Sequence, residues 1–195
     1  NNRGALGQNN RVRQSSPVQV PGTTWATSSA GVYHVAATKT DGTLWAWGDD
    51  SYGQLAQDPP DVRRSSPNQI PGTTWANVKA GHQNNLAVKT DGTLWGWGTN
   101  NYGQLGQNNS GNPTRVSSPV QIPGTTWSTD AGDIWIGRYT ALAKKTDGTL
   151  WAWGANYYGQ LSQNDIESLS SPVQIPGTWS SFGGQGTFNM AIKSL

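Results

Sequence analysis

The block Asp-Gly-Thr-Leu-Trp-x-Trp-Gly occurs three times in this 195-residue chain, at 41–48, 91–98 and 147–154. A second block, Ser-Ser-Pro-x-Gln-(Val/Ile)-Pro-Gly-Thr, begins at residues 15, 65, 117 and 170, and a tryptophan closes every copy. These closing tryptophans are spaced by 50, 52 and 52 residues. A period this regular indicates a repeat architecture, in which each unit buries its apolar surface against the next.

The second repeat predicts a small antiparallel sheet. Residues 73–80 and 85–89 read as short strands, and Asp91-Gly92 predicts a two-residue type I′ hairpin turn into a third strand at 93–97. Side chains along that third strand alternate between two faces, and both faces carry large apolar groups. The Ser-Ser-Pro-x-Gln-Ile stretch is predicted to form a fourth, outer strand, because proline is tolerated at a sheet edge.

A sheet that is apolar on both faces has to be sandwiched between copies of itself. Radial stacking of such sheets as the blades of a β-propeller meets this requirement. Small residues recur between the paired tryptophans, at 46, 96 and 152, and predict close approach of a neighbouring sheet there. No segment has a helical period with capping residues. We therefore predict an all-β fold of propeller-type blades.

Composition narrows the classes of function. Charged residues make up only 12% of the chain, and a net charge of +2 is too small to indicate nucleic-acid binding. The 11 tryptophans and 6 tyrosines supply the apolar surface that a folded core needs. Without cysteine, disulfides and thiolate metal sites are excluded. No apolar run approaches the roughly 20 residues that a membrane-spanning helix requires.

The first repeat resembles the repeat of a known family. Gly-x-x-His-x-x-Ala at 31–37, the tryptophan block at 41–48 and Asp-Asp-Ser-Tyr-Gly-Gln-Leu at 49–55 together resemble the repeat of the regulator of chromosome condensation family. The resemblance extends over nearly the whole chain. It implies β-propeller blades of about 50 residues, which in most members close a ring of seven. Some members exchange guanine nucleotide on a small GTPase and bind chromatin, whereas many others, including bacterial and viral ones, share only the repeat.

The chain is predicted to be one repeat domain, 1–195, with about four units at 1–48, 49–98, 99–154 and 155–195. The last unit lacks its Trp-x-Trp-Gly strand, and the first begins with the segment that normally follows this strand. Strand exchange between the termini does not restore it, because both ends lack the same strand. The predicted ring is therefore incomplete, or completed by other chain material, and its exposed edges favour association with another copy.

Arginines cluster before the Ser-Ser-Pro block, where equivalent loops would place them on one rim of the propeller. The third repeat departs from the others: 131–146 is five residues longer than 30–40, and we expect the extra residues within 133–139. A basic rim suits an acidic protein surface or an acidic glycan, whereas an ordinary solvated loop is the plainer alternative. The candidate partner-binding residues are Arg11, Arg13, Arg63, Arg64, Arg115, Trp135, Arg138 and Tyr139.

Other features are better explained by structure than by chemistry. The paired tryptophans repeat at one strand position, which favours a core between blades over a stacking platform. Turn chemistry explains the recurrent aspartates at 41, 91 and 147. We expect His34 to be a structural hydrogen-bonding group and His82 an exposed loop residue. The aspartates at 49, 50, 58 and 61 match no calcium loop, and we predict no metal, no cofactor and no catalytic residue.

These observations favour a non-enzymatic binding or structural module, a rigid platform whose loops contact a protein partner, another copy or a surface glycan. A composition rich in Asn, Gln, Ser and Thr resembles that of secreted, cell-surface or virion proteins, although the localisation stays open. The family resemblance implies a guanine-nucleotide exchange factor as the alternative, although no motif carries over residue by residue. A polysaccharide-active enzyme ranks third, because its paired carboxylates would have to converge on one site.

Overall fold

The computed structural model describes residues 1–57, 62–109, 115–185 and 188–194, and the regular elements within them are all β-strands. The first sheet contains β1 (Trp25–Ala30), β2 (His34–Lys39), β3 (Leu44–Gly48) and β4 (Arg64–Ile70). The second contains β5 (Trp75–Ala80), β6 (Asn84–Lys89), β7 (Leu94–Thr99) and β8 (Arg115–Ile122). The third contains β9 (Ile134–Ile136), β10 (Thr140–Lys144), β11 (Leu150–Gly154) and β12 (Leu169–Ile175). The fourth is a hairpin of β13 (Trp179–Gln185) and β14 (Phe188–Lys193).

Each four-stranded sheet is an antiparallel meander, in which every strand pairs with its neighbour in the chain. The predicted outer strand is confirmed: the Ser-Ser-Pro-x-Gln-Ile copies form β4, β8 and β12 at the sheet edges. The copy at 15–20 forms no strand. In the other copies the pairing partner is the preceding Trp-x-Trp-Gly strand, and residues 1–14 contain none. Within the described part of the chain no helix is present that could cross a membrane.

The Asp-Gly hairpins differ from the predicted type I′ turn. Only Gly42 has a positive φ (77°), whereas a type I′ turn needs positive φ at both central residues. The Gly42 N–H donates to the Lys39 carbonyl at 3.0 Å, so the glycine is the last residue of a four-residue turn, as in a G1 bulge. Asp41 Oδ1 accepts hydrogen bonds from the N–H and the hydroxyl of Thr43, at 3.0 and 2.6 Å, which hold the pKa of Asp41 below its usual value. The same bonds recur at Asp91 and Asp147, so the structural role of these aspartates is confirmed.

The core lies between the sheets rather than within any one of them. One apolar cluster joins the first and second sheets, a second joins the second and third, and a third joins the third sheet to the hairpin. The inner tryptophan of each Trp-x-Trp pair is at most 3% exposed (Trp47, Trp97, Trp153), so its predicted place in the core is confirmed. The outer tryptophans are half-buried, each under a lysine Nζ 4.3–4.4 Å from the ring centroid (Trp45, Trp95, Trp151).

The small residue between the two tryptophans makes room for side chains of its own sheet and of the loop that follows its strand. A Cβ on Gly96 would lie 3.4 Å from Leu105 and 3.4 Å from Ile122 of β8. Leu105 is fully buried and belongs to the Tyr-Gly-Gln-Leu loop that follows β7. The predicted close approach is therefore present at this residue, but the nearest neighbours are this loop and the outer strand rather than another sheet.

We call the contact between two neighbouring sheets a seam, so that the first seam lies between the first and second sheets and the second seam between the second and third. Hydrogen bonds join the sheets at both ends of each seam. At one end of the first seam, Trp97 Nε1 donates to the Gln54 carbonyl at 3.0 Å. At the other end, the Trp75 N–H donates to the Gly42 carbonyl at 2.9 Å. The second seam repeats both bonds at 2.9 and 3.0 Å, through Trp153 to Gln104 and Trp127 to Gly92. Each sheet is therefore fixed to the preceding one by groups that the repeat itself supplies.

His34 adds a polar contact to the first seam. It is 1% exposed, and its Nε2 lies 2.9 Å from Asn85 Oδ1 of the second sheet. Asn85 Nδ2 in turn donates to the Gln54 carbonyl at 2.8 Å. Burial lowers the pKa of His34 to about 4, so the ring is neutral in the folded protein near neutral pH. The predicted role of His34 as a structural hydrogen-bonding group is confirmed.

The strand pairing places the extra residues of the third repeat differently from the prediction. Ile134 pairs with Ala143 of β10, and Val78 pairs with Ala87, the equivalent alanine of β6. Ile134 and Val78 are therefore equivalent. Trp75 precedes Val78 by three positions, whereas Trp127 precedes Ile134 by seven. The insertion is therefore four residues, between Trp127 and Ile134, and the expectation that it lay within 133–139 is wrong.

Candidate functional site

The connections between strands divide into two sets at opposite ends of the sheets. One end, referred to below as the loop end, carries the links between first and second strands and between third and fourth strands. Their described parts fall within 31–33, 49–63, 81–83, 100–114, 137–139 and 155–168. Residues 1–14 join this end, because the Ala5 carbonyl accepts from Trp47 Nε1 at 3.0 Å as Gln54 accepts from Trp97. The Asp-Gly turns and the links between sheets form the opposite turn end.

Exposed large apolar side chains concentrate at the loop end. Among the described residues, those at the loop end are Val12, Val32, Tyr33, Tyr52, Val62, Tyr157, Tyr158 and Ile166. The others lie on the unpaired 15–20 segment, on β8 and on β14 (Val18, Val120, Met190, Ile192). None of the described ones is at the turn end. The two ends therefore differ in the surface that they offer to another molecule.

A buried carboxylate organises part of the loop end. Asp49 is fully buried and lies 2.9 Å from Arg3 Nη1 and 3.1 Å from Arg63 Nε. Burial alone would raise the pKa of Asp49, but hydrogen bonds from Ser51, Arg63 and Arg3 hold it below its usual value. Arg3 also lies over the Tyr33 ring, 4.0 Å from its centroid. Arg63 is therefore engaged within the chain, and Arg3, which the sequence did not single out, is its counterpart.

The other predicted rim arginines also lie at the loop end. Arg115 begins β8, and its Nη1 donates to the Ser51 carbonyl at 3.1 Å, which links the second sheet to a loop of the first. Arg64 is half-buried at the start of β4, whereas Arg11 and Arg13 are exposed. Of the four aspartates considered for calcium, 58 and 61 lie outside the described residues. Elsewhere in the described chain no three acidic, His or Cys side chains gather as a metal site would require.

The third repeat divides its three candidate residues between core and surface. Trp135 is half-buried in β9 and packs against the cluster between the third sheet and the hairpin. Arg138 and Tyr139 lie in the loop between β9 and β10. The Tyr139 ring meets Tyr102 edge-on, with 4.8 Å between centroids, and Arg138 Cζ lies 4.9 Å from the Tyr139 centroid. The structure therefore brings Arg138 and Tyr139 together and leaves Trp135 apart.

A polar cavity of about 150 Å³ opens at the loop end, where loops of the first three sheets meet. Arg138 and Tyr139 line it together with His82, Thr99 and Tyr102. Gln104, also part of the wall, fixes two of these loops: its Nε2 donates to the Arg138 carbonyl at 3.1 Å, and its Oε1 accepts from the Tyr102 N–H at 2.8 Å. The cavity wall is therefore held by one hydrogen bond between the second and third sheets and by one within a loop of the second.

Two side chains of this cavity carry unused hydrogen-bonding atoms. Thr99 is 7% exposed, and its hydroxyl has no partner within the described chain. His82 Nδ1 is likewise buried without a partner. Burial, and then the charge of Arg138, lower the pKa of His82. The prediction that His82 is exposed is therefore wrong: its ring is half-buried in the cavity wall. Neither residue recurs at its repeat position, so the repeat pattern contained no signal for them.

Two family models, each described as "Regulator of chromosome condensation (RCC1) repeat", match this chain. One matches residues 91–131 and 147–188, and the other matches 29–54, 75–104 and 133–160. Together they cover more than half of the sequence. The chain belongs to the RCC1 repeat family. The predicted family is thereby confirmed, as is the all-β fold of propeller-type blades.

Solved structures share this fold. Prp20p from Saccharomyces cerevisiae matches with a TM-score of 0.77 and 18% identity, over 88% of this chain and 44% of its own. Human WBSCR16 matches with a TM-score of 0.74 and 21% identity, over 94% of this chain and 51% of its own. Yeast RCC1 (Prp20), in a structure with Kap60 bound, matches with a TM-score of 0.75 and 18% identity, over 87% of this chain and 42% of its own. This chain thus spans about half the length of these proteins. A comparison with curated protein sequences found no match.

Proposed function

We propose that this chain is a non-enzymatic protein-binding module whose contact surface is the loop end. The observation that supports this most directly is the one-sided distribution of exposed apolar side chains, which include Tyr33, Tyr52, Tyr157 and Tyr158. Exposed apolar groups concentrated on one surface mark interaction sites. Tyrosine and arginine are also the residue types enriched in protein interfaces, and the predicted rim arginines share this end.

The rigidity of the loop end suits the same role. The first two Tyr-Gly-Gln-Leu loops are held from behind by tryptophan N–H groups of the next sheet, and Asn189 Nδ2 donates to the Gln160 carbonyl of the third at 3.0 Å. Asp49 ties the first loop to Arg3 and Arg63. A surface that is ordered before binding loses less conformational entropy when a partner docks. Among proteins of this fold, Prp20p has been studied for its binding to Gsp1p and histones, and Kap60 binds it. Those partners are proteins, which supports the class of partner proposed here.

A photo-crosslinking experiment tests the proposal. A photoreactive amino acid replaces Tyr158, which is 76% exposed at the loop end, and in a matched variant it replaces the exposed Thr73 at the turn end. Irradiation in an extract of the producing cells is expected to attach protein to position 158 and not to position 73. Equal labelling of both positions contradicts the proposal. Adducts of doubled chain mass identify the partner as another copy, and carbohydrate adducts identify a glycan instead.

Binding to the captured partner then measures the contribution of the tyrosines. Replacing Tyr157 and Tyr158 by serine removes two exposed rings, of which Tyr157 meets Tyr102 edge-on with 6.1 Å between centroids. Loss of aromatic anchors is expected to weaken binding at least about tenfold, whereas Thr73→Ala leaves it unchanged. A nucleotide-release assay with candidate small GTPases tests the exchange-factor alternative. Accelerated release, or turnover of any polysaccharide in a panel, contradicts the simple binding role.

A further inference from the structure

We propose that the polar cavity at the loop end binds the carboxylate of an acidic side chain on the protein partner. The groups that would hold it are the Arg138 guanidinium, the Thr99 hydroxyl and the His82 ring. The source of the carboxylate rests on the proposed function. The chemistry of the cavity does not, because it follows from residues of this chain alone.

The unused atoms of the cavity can all donate a hydrogen bond. Thr99 is more than nine-tenths buried, and its hydroxyl lacks a partner within the described chain. The Nδ1 atom of His82 is also buried and also lacks a partner within the described chain. A buried polar group without a partner costs free energy, and a bound acceptor removes that cost. An ionised carboxylate only accepts hydrogen bonds, so it fits a wall of donors better than an amide does.

The charge of the cavity also favours one negative charge. Arg138 forms no salt bridge within the described chain, and the cavity has no acidic residue in its wall. Its guanidinium lies against the Tyr139 ring, which orients it. Arginine pairs with carboxylates through charge-assisted, often bidentate, hydrogen bonds. With one fixed cation and no lysine in the wall, the cavity suits a monoanion better than a phosphate dianion.

The first sheet shows what a carboxylate does at the equivalent position. Thr99 and Asp49 occupy equivalent positions. The N–H of Thr99 donates to the Gln83 carbonyl at 2.9 Å, and the N–H of Asp49 donates to the Tyr33 carbonyl at 2.9 Å. Where the first sheet has Asp49, paired with two arginines, the second sheet has Thr99, whose hydroxyl is unpartnered. The loop end therefore already contains one internal arginine–carboxylate site. At the next repeat the carboxylate is absent, Tyr52 takes the place of Arg3, and the cation is Arg138 of the third sheet.

The dimensions favour a side chain over a larger ligand. A cavity of about 150 Å³ accommodates a group of the size of a glutamate side chain, and Tyr52, Tyr102 and Tyr139 in its wall can contact the methylene groups. Tyr52 is 40% exposed and belongs to the surface proposed to meet the partner. A side chain that projects from a docked protein would thus enter from the side on which the apolar contacts form.

An NMR titration of the whole chain tests the cavity without any partner. The probe is glutamic acid blocked as its N-acetyl N-methylamide, and the control is the glutamine counterpart. Saturable shifts of His82, Thr99 and Arg138 are expected, with the acid bound about tenfold or more tightly than the amide. Equal affinities for acid and amide, or no saturable shift at these residues, overturn the proposal. Tighter binding of inorganic phosphate than of the blocked acid overturns the assignment to a carboxylate.

Three substitutions separate recognition from folding. Arg138→Gln and Thr99→Val are each expected to abolish the preference for acid over amide, with an unchanged dispersion of the NMR spectrum. Thr99→Asp supplies the missing carboxylate from the chain itself and is expected to block the probe. Arg13→Gln, at an exposed arginine outside the cavity, is the matched control and is expected to bind as the unmodified chain does. Retention of the preference in Arg138→Gln contradicts the proposal even if the protein folds normally.

The carboxylate's source is decided by a second set of probes. Acetate and free dicarboxylic acids are titrated beside the blocked glutamic acid, and tighter binding of a free acid overturns the assignment to a partner's side chain. Because these titrations contain no partner protein, their failure leaves the crosslinking result untouched. Failure of the crosslinking experiment in turn leaves the preference for a carboxylate measurable.

Discussion

Acid is expected to weaken the first seam through His34. The ring is 1% exposed, and its Nε2 contacts Asn85 of the next sheet at 2.9 Å. Burial lowers the pKa of His34 from 6.5 to about 4, which means that the folded state accommodates the neutral ring and resists the charged one. The unfolded chain has no such restriction, so it takes up a proton at a higher pH than the folded protein does.

The sign and the size of the effect follow from these two pKa values. Above pH 6.5 both states are neutral at this residue, and the free energy of unfolding does not depend on its titration. Between pH 6.5 and 4 the unfolded state binds the proton first, so stability falls as the pH falls. The whole window corresponds to a loss of about 3 kcal/mol, since one pKa unit represents about 1.4 kcal/mol. The turn aspartates, whose pKa values are lowered below 3.8, titrate beneath this window.

Urea unfolding at several pH values between 7.5 and 4.5, followed by tryptophan fluorescence, measures the effect. The matched variant is His34→Asn, because Asn84 occupies the equivalent position at the start of β6. The difference between the two chains removes contributions from His82 and from the carboxylates, which both share. The free energy of unfolding of the unmodified chain, minus that of His34→Asn, is expected to fall as the pH falls from 6.5 to 4.5. Parallel pH profiles for the two chains refute the reasoning.

Three further substitutions are checked by urea unfolding at pH 7. Gly98→Ala places a Cβ against the Gln83 carbonyl at a φ of +100°, and a loss of about 3 kcal/mol or more is expected; tolerance contradicts the contact. Trp97→Phe removes the donor to the Gln54 carbonyl and leaves a void in the seam, with an expected loss of about 2 kcal/mol. Thr74→Gly relieves a positive φ of 78° at a β-branched residue, and a gain of about 1 kcal/mol is expected, whereas a loss contradicts strain there.

The strand pattern was predictable because each strand has a recognisable local sequence pattern, and this pattern recurs in several repeats. The turn type and the position of the insertion were not predictable, because both depend on which residues pair across neighbouring strands. The glycine of each Asp-Gly pair does have positive φ, but pairing around it makes the turn one residue longer than a type I′ turn. Ala131 is the same residue type as Ala30 and was aligned with it for that reason. The pairing of β9 with β10 shows that the structural equivalent of Ala30 is Ile136.

The cavity was predictable only in part. Arg138 and Tyr139 stood out as candidates, although the insertion that drew attention to them lies elsewhere in the repeat. Thr99 and His82 are ordinary residues at positions where the repeats differ, and neither forms a motif with its sequence neighbours. The cavity forms because loops from three successive sheets meet at one end, and such a meeting depends on packing between repeats rather than on any local pattern.

The hydrogen bonds that the inner tryptophans make across the seams all have the same direction along the chain. The Nε1 of each inner tryptophan donates to a carbonyl that lies earlier in the sequence: Trp47 to Ala5, Trp97 to Gln54 and Trp153 to Gln104. During synthesis, which proceeds from the amino terminus, each of these three acceptors therefore exists before its donor is made. These bonds allow each sheet to dock once its third strand has left the ribosome, because their acceptors are already present. The seams thus favour assembly in the order of translation, one repeat after another.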